Sequence, residues 1–138
     1  MILRLFGAKV RRNVRIYNSA KVYFPPNLEL GENVVVGPFV DLYCVDKIIL
    51  GDNSMVSQYS FLCTASHDAM KPDLPLVTAP IVLQSHTWVC ADAFVAMGVT
   101  IGTGAVVGAR ASVFSDVESW TIVGGNPARK LKDRQIVG

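Results

Sequence analysis

An aliphatic residue recurs at every sixth position along most of this chain, and that spacing limits the folds available to it. The series slips by two residues at intervals and is interrupted after His67. Its members are Val10, Ile16, Val22, Leu28, Leu30, Val36, Leu42, Ile48, Leu50, Val56, Leu62, Leu83, Val89, Val95, Ile101, Val107 and Val113. An α-helix would show a period of about 3.6, and a half-buried strand a period of about 2. The spacing therefore favours short strands joined by turns.

Three strand-and-turn units would close one triangular coil, and successive coils would stack into a parallel β-helix. Each aliphatic side chain would then point into the prism and pack on its equivalents in the neighbouring coils. Small residues follow many of the aliphatic positions, as at Gly31, Gly51 and Gly102, and we expect them at corners where the chain turns tightly. The alternative is a β-sandwich in which the spacing is fortuitous.

The repeat predicts an all-β, single-stranded parallel β-helix of about five to six triangular coils, forming one domain over residues 1–138. The coils fall near 10–27, 30–47, 50–67, 83–100 and 101–118. The interruption at 68–82, DAMKPDLPLVTAPIV, has three prolines and no period, which predicts a protruding loop of the length that is usually functional. In the tail at 127–138, the basic stretch ARKLKDRQIV predicts a short helix with Pro127 in its first turn.

Composition argues against several classes of function. The net charge is only +2, and no basic run with interleaved aromatic residues occurs, so we expect no nucleic-acid partner. The three cysteines form no C-x-x-C pair, which indicates a reduced, cytoplasmic chain without disulfides. The apolar start is too short for a signal peptide and no apolar run is long enough to cross a bilayer, so we expect no membrane insertion.

The repeat and three motifs together resemble the hexapeptide-repeat acyltransferases. The motifs are CTASHD, PIVLQSHTWVCADAFVAMGVTIGTGAVVGA and GGNPAR, and the resemblance extends over nearly the whole chain from about Leu3. Within the family the chain looks most similar to O-acetyltransferases of exopolysaccharide synthesis of the colanic-acid type, and more distantly to maltose, galactoside and xenobiotic acetyltransferases. The resemblance implies a left-handed coil, acetyl transfer from acetyl-CoA to a hydroxyl or amine, and a homotrimer with active sites between subunits.

His67 stands at the motif position where the family keeps its catalytic base, and its chemistry supports that role. A sugar hydroxyl is a weak nucleophile at neutral pH, and a neutral imidazole can take its proton as it attacks the thioester. A surface histidine without function is the alternative. Asp68 is adjacent, but neighbouring strand side chains point to opposite faces, so we expect a backbone carbonyl or a carboxylate from another coil to orient His67.

The resemblance also implies a set of contacts with the acyl donor. The predicted contacts are Trp88, Ala91, Ala109, Phe114, Ser115, Arg129 and Lys132. Trp88 matches a tryptophan near the reactive end of the cofactor, although packing at a subunit interface would also explain it. The two alanines match positions whose backbone contacts the pantetheine arm, while Phe114 and Ser115 stand where relatives have threonine and lysine. Arg129 and Lys132 match basic residues near the nucleotide phosphates, or else belong to a solvated tail.

For the acceptor, the resemblance points to polar residues of the coil before His67. Asp41 and Asp46 are the candidates, and ordinary turn residues are the alternative reading of both. Relatives often carry an N-terminal segment that shapes the acceptor site, whereas this chain begins almost at its first coil, so we expect altered acceptor binding. His86, in the turn QSHTW, is expected to be a solvent-exposed histidine.

Three other functions compete with the favoured one. The same fold hosts zinc carbonic anhydrases, which need three histidine ligands, and this chain has only His67 and His86, so we expect no metal. An N-acetyltransferase acting on an amino sugar would use the same base and donor site. A non-catalytic scaffold would be expected to lose both the histidine and the loop. The residues therefore favour an acetyl-CoA-dependent O-acetyltransferase acting on a saccharide or similar hydroxyl, by direct transfer in a ternary complex.

Overall fold

The computed structural model describes all 138 residues and consists almost entirely of short strands. One helical turn, α1 (Ile2–Leu5), precedes the first strand, and a 3₁₀ turn covers Pro25–Asn27; no helix has the length and apolar character of a membrane span. In chain order the strands are β1 (Lys9–Val10), β2 (Arg15–Ile16), β3 (Lys21–Val22), β4 (Leu28–Leu30), β5 (Val35–Val36), β6 (Asp41–Tyr43), β7 (Ile48–Leu50), β8 (Met55–Val56), β9 (Phe61–Cys63), β10 (Ala65–His67), β11 (Leu76–Thr78), β12 (Ile81–Leu83), β13 (Trp88–Val89), β14 (Phe94–Val95), β15 (Thr100–Ile101), β16 (Val106–Val107), β17 (Ser112–Val113), β18 (Thr121–Gly124) and β19 (Arg129–Asp133).

Three sheets of parallel strands form the faces of a triangular prism. The first sheet contains β1, β4, β7, β12 and β15, the second β2, β5, β8, β13, β16 and β18, and the third β3, β6, β9, β14 and β17. Each coil contributes one strand to each sheet, so the chain winds as a left-handed parallel β-helix of about six turns. The predicted fold is confirmed.

The strand register explains why the six-residue series slips. In the early coils the paired residues lie 20 positions apart, as Lys9 and Glu29 do, whereas Phe94 pairs with a serine only 18 residues later. The two additional residues lengthen the strands of the first sheet. Both ends of β4 and of β7 are buried, so each of these strands places two side chains in the core instead of one.

The aliphatic series forms that core. Every member is buried except Ile16 and Val22, which are half-buried in the first coil. Equivalent side chains pack in columns from coil to coil, because Val36 pairs in register with Val56, and Val56 with Val89. Full burial of an aliphatic side chain contributes about 1.5–3 kcal/mol, so these columns are the main source of stability.

The small residues that follow the aliphatic positions were predicted to allow tight turns, but the structure gives a different reason for their size. Gly31 and Gly51 do not adopt the left-handed conformation; a Cβ on Gly51 would lie only 2.8 Å from the backbone nitrogen of Ser85 in the next coil. They are small because adjacent coils approach closely there. The left-handed turns come two residues later and hold Asn33 and Asn53, with φ of 57° and 58°.

Left-handed residues form a column along each of two corners of the prism. The first corner, between the first and second sheets, carries Asn13, Asn33, Asn53, His86, Gly104 and Trp120. The second corner, between the second and third sheets, carries Phe39, Tyr59, Asp92 and Arg110. Asparagine tolerates this conformation because its short side chain can hydrogen-bond locally. In the first corner the Asn13 amide donates to Asn33 at 3.2 Å, and the Asn33 amide to Asn53 at 2.9 Å.

The interruption of the repeat is a β-hairpin with a turn at 68–75, not an irregular loop. β10 pairs with β11 in antiparallel fashion, and His67 lies opposite Leu76. The hairpin leaves the prism at the corner between the third and first sheets, after β9, and returns at β12. Ile81 and Val82, which were predicted as loop, therefore already belong to the first sheet.

The prediction of a C-terminal helix is wrong, because the tail forms β19 and pairs antiparallel with β18. β18 is the last parallel strand of its sheet, and β19 satisfies the backbone groups of its outer edge. An isolated helix of this length would be marginal in water. The tail is then held by Arg134, whose Nη1 donates to the carbonyl oxygens of His86 and Gly104, with the guanidinium 5.7 Å from the Trp120 ring.

Candidate active site

His67 is the last residue of β10 and exposes its imidazole beside the hairpin turn. Its Nδ1 lies 2.7 Å from the carbonyl oxygen of Leu74. A carbonyl can only accept, so Nδ1 carries a proton, and in the neutral imidazole Nε2 is then the nitrogen with the free lone pair. The sequence left open whether a backbone carbonyl or a carboxylate from another coil orients His67, and in the structure it is the backbone carbonyl. The arrangement provides the tautomer that a general base acting through Nε2 requires.

Backbone bonds within the turn hold the Leu74 carbonyl in place. The Leu74 N–H donates to Lys71 at 3.1 Å, and the Asp68 N–H donates to Pro75 at 3.0 Å. The Asp68 carboxylate accepts from the Met70 N–H at 3.0 Å, so it serves the turn and not the imidazole. Sequence reasoning missed Leu74 because a residue that acts through its carbonyl carries no side-chain motif.

The base of the hairpin is fastened to the preceding coil through Asp46. One carboxylate oxygen accepts from the Thr78 hydroxyl at 3.2 Å, and the other accepts from the Lys47 N–H at 2.7 Å. The buried Thr64 hydroxyl donates to the Tyr43 carbonyl at 2.7 Å and accepts from the Asp46 N–H at 2.9 Å. Both oxygens of Asp46 are therefore engaged at the base of the hairpin that carries His67.

Asp41, the other acceptor candidate, lies in β6 on the outer surface of the third sheet. Its register neighbours are Lys21 and Phe61. A row of aromatic rings crosses this surface, with successive ring centroids 4.8–6.2 Å apart. The row consists of Tyr23, Tyr43, Phe61, Phe94 and Phe114. Phe114, one of the predicted donor contacts, is its last member and is 58% exposed.

Two of the predicted donor contacts lie together at the second corner. Ala91 and Ala109 stand at equivalent turns of successive coils, where the Arg110 N–H donates to the Ala91 carbonyl at 2.9 Å. Trp88 lies nearby on the second sheet, 43% exposed, with its indole nitrogen donating to the Ser57 hydroxyl at 2.9 Å. The structure therefore aligns the two alanines along the second corner and leaves a large part of the indole exposed to solvent.

The two predicted phosphate contacts, Arg129 and Lys132, lie in β19. Ser115 and Arg129 line a common cleft of about 270 Å³. Neither Arg129 nor Lys132 forms an ion pair, whereas the Lys130 ammonium lies 2.7 Å from Asp133. That hydrogen bond and the attraction between the two charges raise the pKa of Lys130. Of the three cations of β19, the two singled out in the sequence are therefore the ones outside any ion pair.

One chain does not gather all of the predicted residues into one pocket. His67 stands on the hairpin, at the corner between the third and first sheets, whereas Trp88 lies on the second sheet. A larger groove of about 820 Å³ runs along the first sheet between Arg4, Lys9 and Asp52, and none of the predicted site residues lines it. A pocket that contained both the imidazole and the indole would need a second chain.

The cysteine thiols do not offer an alternative nucleophile. Burial raises the pKa of the Cys44 and Cys90 thiols, which keeps them protonated and poorly nucleophilic. Cys63 donates to the Ala65 carbonyl at 3.1 Å. The structure contains no group of three or more His, Cys, Asp and Glu side chains placed to hold a metal ion.

Comparison with known proteins places the chain in a family. No protein-family model matches it. A putative colanic acid biosynthesis acetyltransferase, WcaF, from Escherichia coli (strain K12) is 45% identical over 133 residues, which cover 96% of this chain and 73% of the relative. Among solved structures, a maltose O-acetyltransferase from Clostridium difficile 630 has a TM-score of 0.88 at 26% identity, covering 98% of this chain and 74% of that one.

A third comparison concerns the fold alone. A hexapeptide-repeat containing acetyltransferase from Vibrio cholerae O1 biovar eltor, solved with acetyl coenzyme A, has a TM-score of 0.81 at 24% identity, covering 98% of this chain and 75% of that one. The sequence identity to the first relative extends over nearly the whole chain. On these grounds, the chain belongs to the family of hexapeptide-repeat acetyltransferases.

Proposed function

We propose that this protein transfers an acetyl group from acetyl-CoA to a hydroxyl of a saccharide or similar small acceptor, with His67 as general base. The observation that carries the proposal is the 2.7 Å contact between His67 Nδ1 and the Leu74 carbonyl, which leaves Nε2 able to accept a proton. The names of the colanic acid and maltose relatives support a saccharide acceptor.

In the proposed reaction Nε2 removes the proton of the acceptor hydroxyl as its oxygen attacks the thioester carbonyl. A tetrahedral intermediate forms and collapses, the carbon–sulfur bond breaks, and the imidazolium returns the proton to the departing CoA thiolate. No serine or cysteine side chain hydrogen-bonds to His67, so no nucleophile is paired with the base for an acyl-enzyme. This supports direct transfer in a ternary complex.

The donor would extend along the second corner towards the last coil. The aligned turns at Ala91 and Ala109 offer backbone groups to the pantetheine arm, and Trp88 offers an indole face near the thioester. Arg129 and Lys132 are unpaired cations suited to the nucleotide phosphates, with Ser115 beside Arg129 in the same cleft. Phe114 would contribute an exposed apolar contact at the end of the aromatic row.

We further propose that the active unit is a cytoplasmic homotrimer with sites between subunits. The separation of His67 from Trp88 within one chain supports a shared site, because the imidazole of one copy would face the donor bound along another. The number three comes from the resemblance to the family. Sedimentation or light scattering of the purified protein measures it directly.

An acetyl-transfer assay tests the reaction and its acceptor class. Release of the CoA thiol would be followed with glucose, galactose and maltose, each beside the matching amino sugar where one exists, and products identified by mass spectrometry. We expect acetyl esters, which hydroxylamine cleaves. Amides formed only on the amino sugars would show N-acetylation instead. Tight acetyl-CoA binding without transfer to any of these compounds would refute the saccharide acceptor.

A further inference from the structure

The second corner carries an aromatic pair that the fold does not require. Phe39 and Tyr59 occupy left-handed positions with φ of 57° and 63°. Their rings are parallel to within 9° with centroids 5.2 Å apart, yet the two residues remain 55% and 60% exposed. Bulky residues are outliers in this conformation. The pair is therefore strained without being buried.

The early coils of the first corner show a relaxed solution to the same conformation. There it is adopted by Asn13, Asn33 and Asn53, whose side chains hydrogen-bond to one another. The bulky residue of that corner, Trp120, differs from the aromatic pair because its ring lies against the Arg134 guanidinium. Asparagine would serve the second corner equally well. Strain that persists at exposed residues while a relaxed alternative exists is characteristic of functional positions.

No third aromatic ring stacks on the pair. The Phe39 N–H donates to the Ser19 hydroxyl in the preceding coil, and Asp92 follows Tyr59 in the next one. Serine and aspartate are too short to cover a six-membered ring. The Asp92 carboxylate lies 3.5 Å from Arg110 Nε, so a charged pair with hydrogen-bonding capacity adjoins the free face of Tyr59.

The position of the pair along the corner suggests which part of a reaction it serves. Ala91 and Ala109, proposed above as pantetheine contacts, stand at the same corner in the two following coils. Phe39 and Tyr59 continue this line in the opposite direction from the phosphate-binding tail. A molecule on the pair would lie beyond the thioester end of the donor, which is where an acceptor has to be.

We propose that Phe39 and Tyr59 form a platform on which a pyranose ring of the acceptor stacks. This inference rests on the proposed function and names the acceptor surface for it. A pyranose has an apolar face of C–H groups, which matches an aromatic face, and a rim of hydroxyls, which matches Asp92 and Arg110. His67 lies across the third sheet in the same chain, so the base facing the platform would come from a neighbouring copy.

Asparagine substitutions test the platform without threatening the fold. Phe39→Asn, Tyr59→Asn and the double variant introduce the residue that the first corner already uses in this conformation. His86→Asn is the control, since His86 has φ of 60° in the first corner and is exposed. KM would be measured for methyl glucoside, methyl galactoside and maltose, together with the Kd for acetyl-CoA and the oligomeric state.

We expect KM for the preferred saccharide to rise about tenfold or more in the double variant, with the acetyl-CoA Kd and the control unchanged. Four results would overturn the platform: an unchanged KM, weaker acetyl-CoA binding, a dissociated oligomer, or a wild type that binds acetyl-CoA but uses none of the three saccharides. A wild type that binds no acetyl-CoA would instead refute the proposed function, whatever the variants do.

Discussion

The triangular prism and the hairpin that interrupts it obtain their order from different interactions. Each inner side chain of the prism packs on equivalents in the coils on either side, as Leu62 does in the middle of the third sheet, fully buried. In the hairpin, β10 and β11 pair only with each other, and Leu76 is 58% exposed. The hairpin depends on a few hydrogen bonds at its base and turn.

Because of this difference, we expect substitutions in the two regions to affect different properties of the protein. Substitutions in the prism should change the free energy of unfolding, because coils are stabilised by their neighbours. Substitutions in the hairpin should change catalysis, because the hairpin carries His67 and contributes little buried surface. In the proposed reaction, the prism would carry the donor and acceptor surfaces, and the hairpin would present the base to them.

The largest effect is expected from His67→Ala. If His67 is the general base, as proposed, its loss should lower kcat by about 10²–10⁴-fold while leaving thermal unfolding and the acetyl-CoA Kd unchanged. His86→Ala is the matched control, because it removes the other imidazole from an exposed turn. Initial rates of CoA thiol release measure kcat for both variants. An equal decrease of kcat in both would contradict a specific role for His67.

A pair of identical substitutions compares the two regions directly. Leu62→Ala should reduce the free energy of unfolding by about 2–5 kcal/mol, because it leaves a cavity within a packed column. Leu76→Ala should stay within about 0.5 kcal/mol, because the side chain is already largely in water. Urea unfolding at one fixed protein concentration measures both. Similar losses would mean that the hairpin is part of the stabilising core.

A smaller effect is expected at the base of the hairpin from Thr78→Val. The variant removes the hydroxyl that donates to Asp46 at 3.2 Å, a bond worth about 0.5–1.5 kcal/mol. We expect faster amide exchange in β10 and β11 and a severalfold lower kcat, with the urea midpoint unchanged. If the acceptor KM alone rises while exchange stays slow, Asp46 is better explained as an acceptor contact.

The last comparison concerns the two corners. Asn33→Ala removes side-chain bonds to Asn13 and Asn53 and leaves a Cβ in left-handed backbone, so unfolding should become easier by about 1 kcal/mol. Tyr59→Asn should leave stability unchanged or raise it. The reverse order in thermal unfolding would mean that the aromatic pair is structural.

The prism could be predicted from the sequence because the spacing of its aliphatic residues equals the length of one strand and turn. A strand and a turn repeat every six residues, so the positions of Val36, Val56 and Val89 already specify one column. The insertion was recognised from its lack of period. Its start was placed too late, because β10 with His67 already belongs to the hairpin and the last prism strand before it is β9.

Other features depend on contacts that no local pattern encodes. The pairing of β19 with β18 is tertiary, so a basic stretch that looks helical becomes a strand at an open sheet edge. His67 and Leu76 pair across a proline-rich turn, and its composition predicted a loop instead of a hairpin. The Leu74 carbonyl and the strained Phe39 could be recognised only once the backbone conformation was known.

The most direct test of the account is calorimetric titration of the purified protein with acetyl-CoA, beside an Arg129→Ala/Lys132→Ala double variant. Arg12→Ala/Lys9→Ala is the control, since it removes two cations that pair with Glu32 and Glu29 on other surfaces. We predict saturable binding at about one molecule per chain, clearly weaker in the tail variant and unchanged in the control. A well-folded protein that binds no acetyl-CoA would contradict the account.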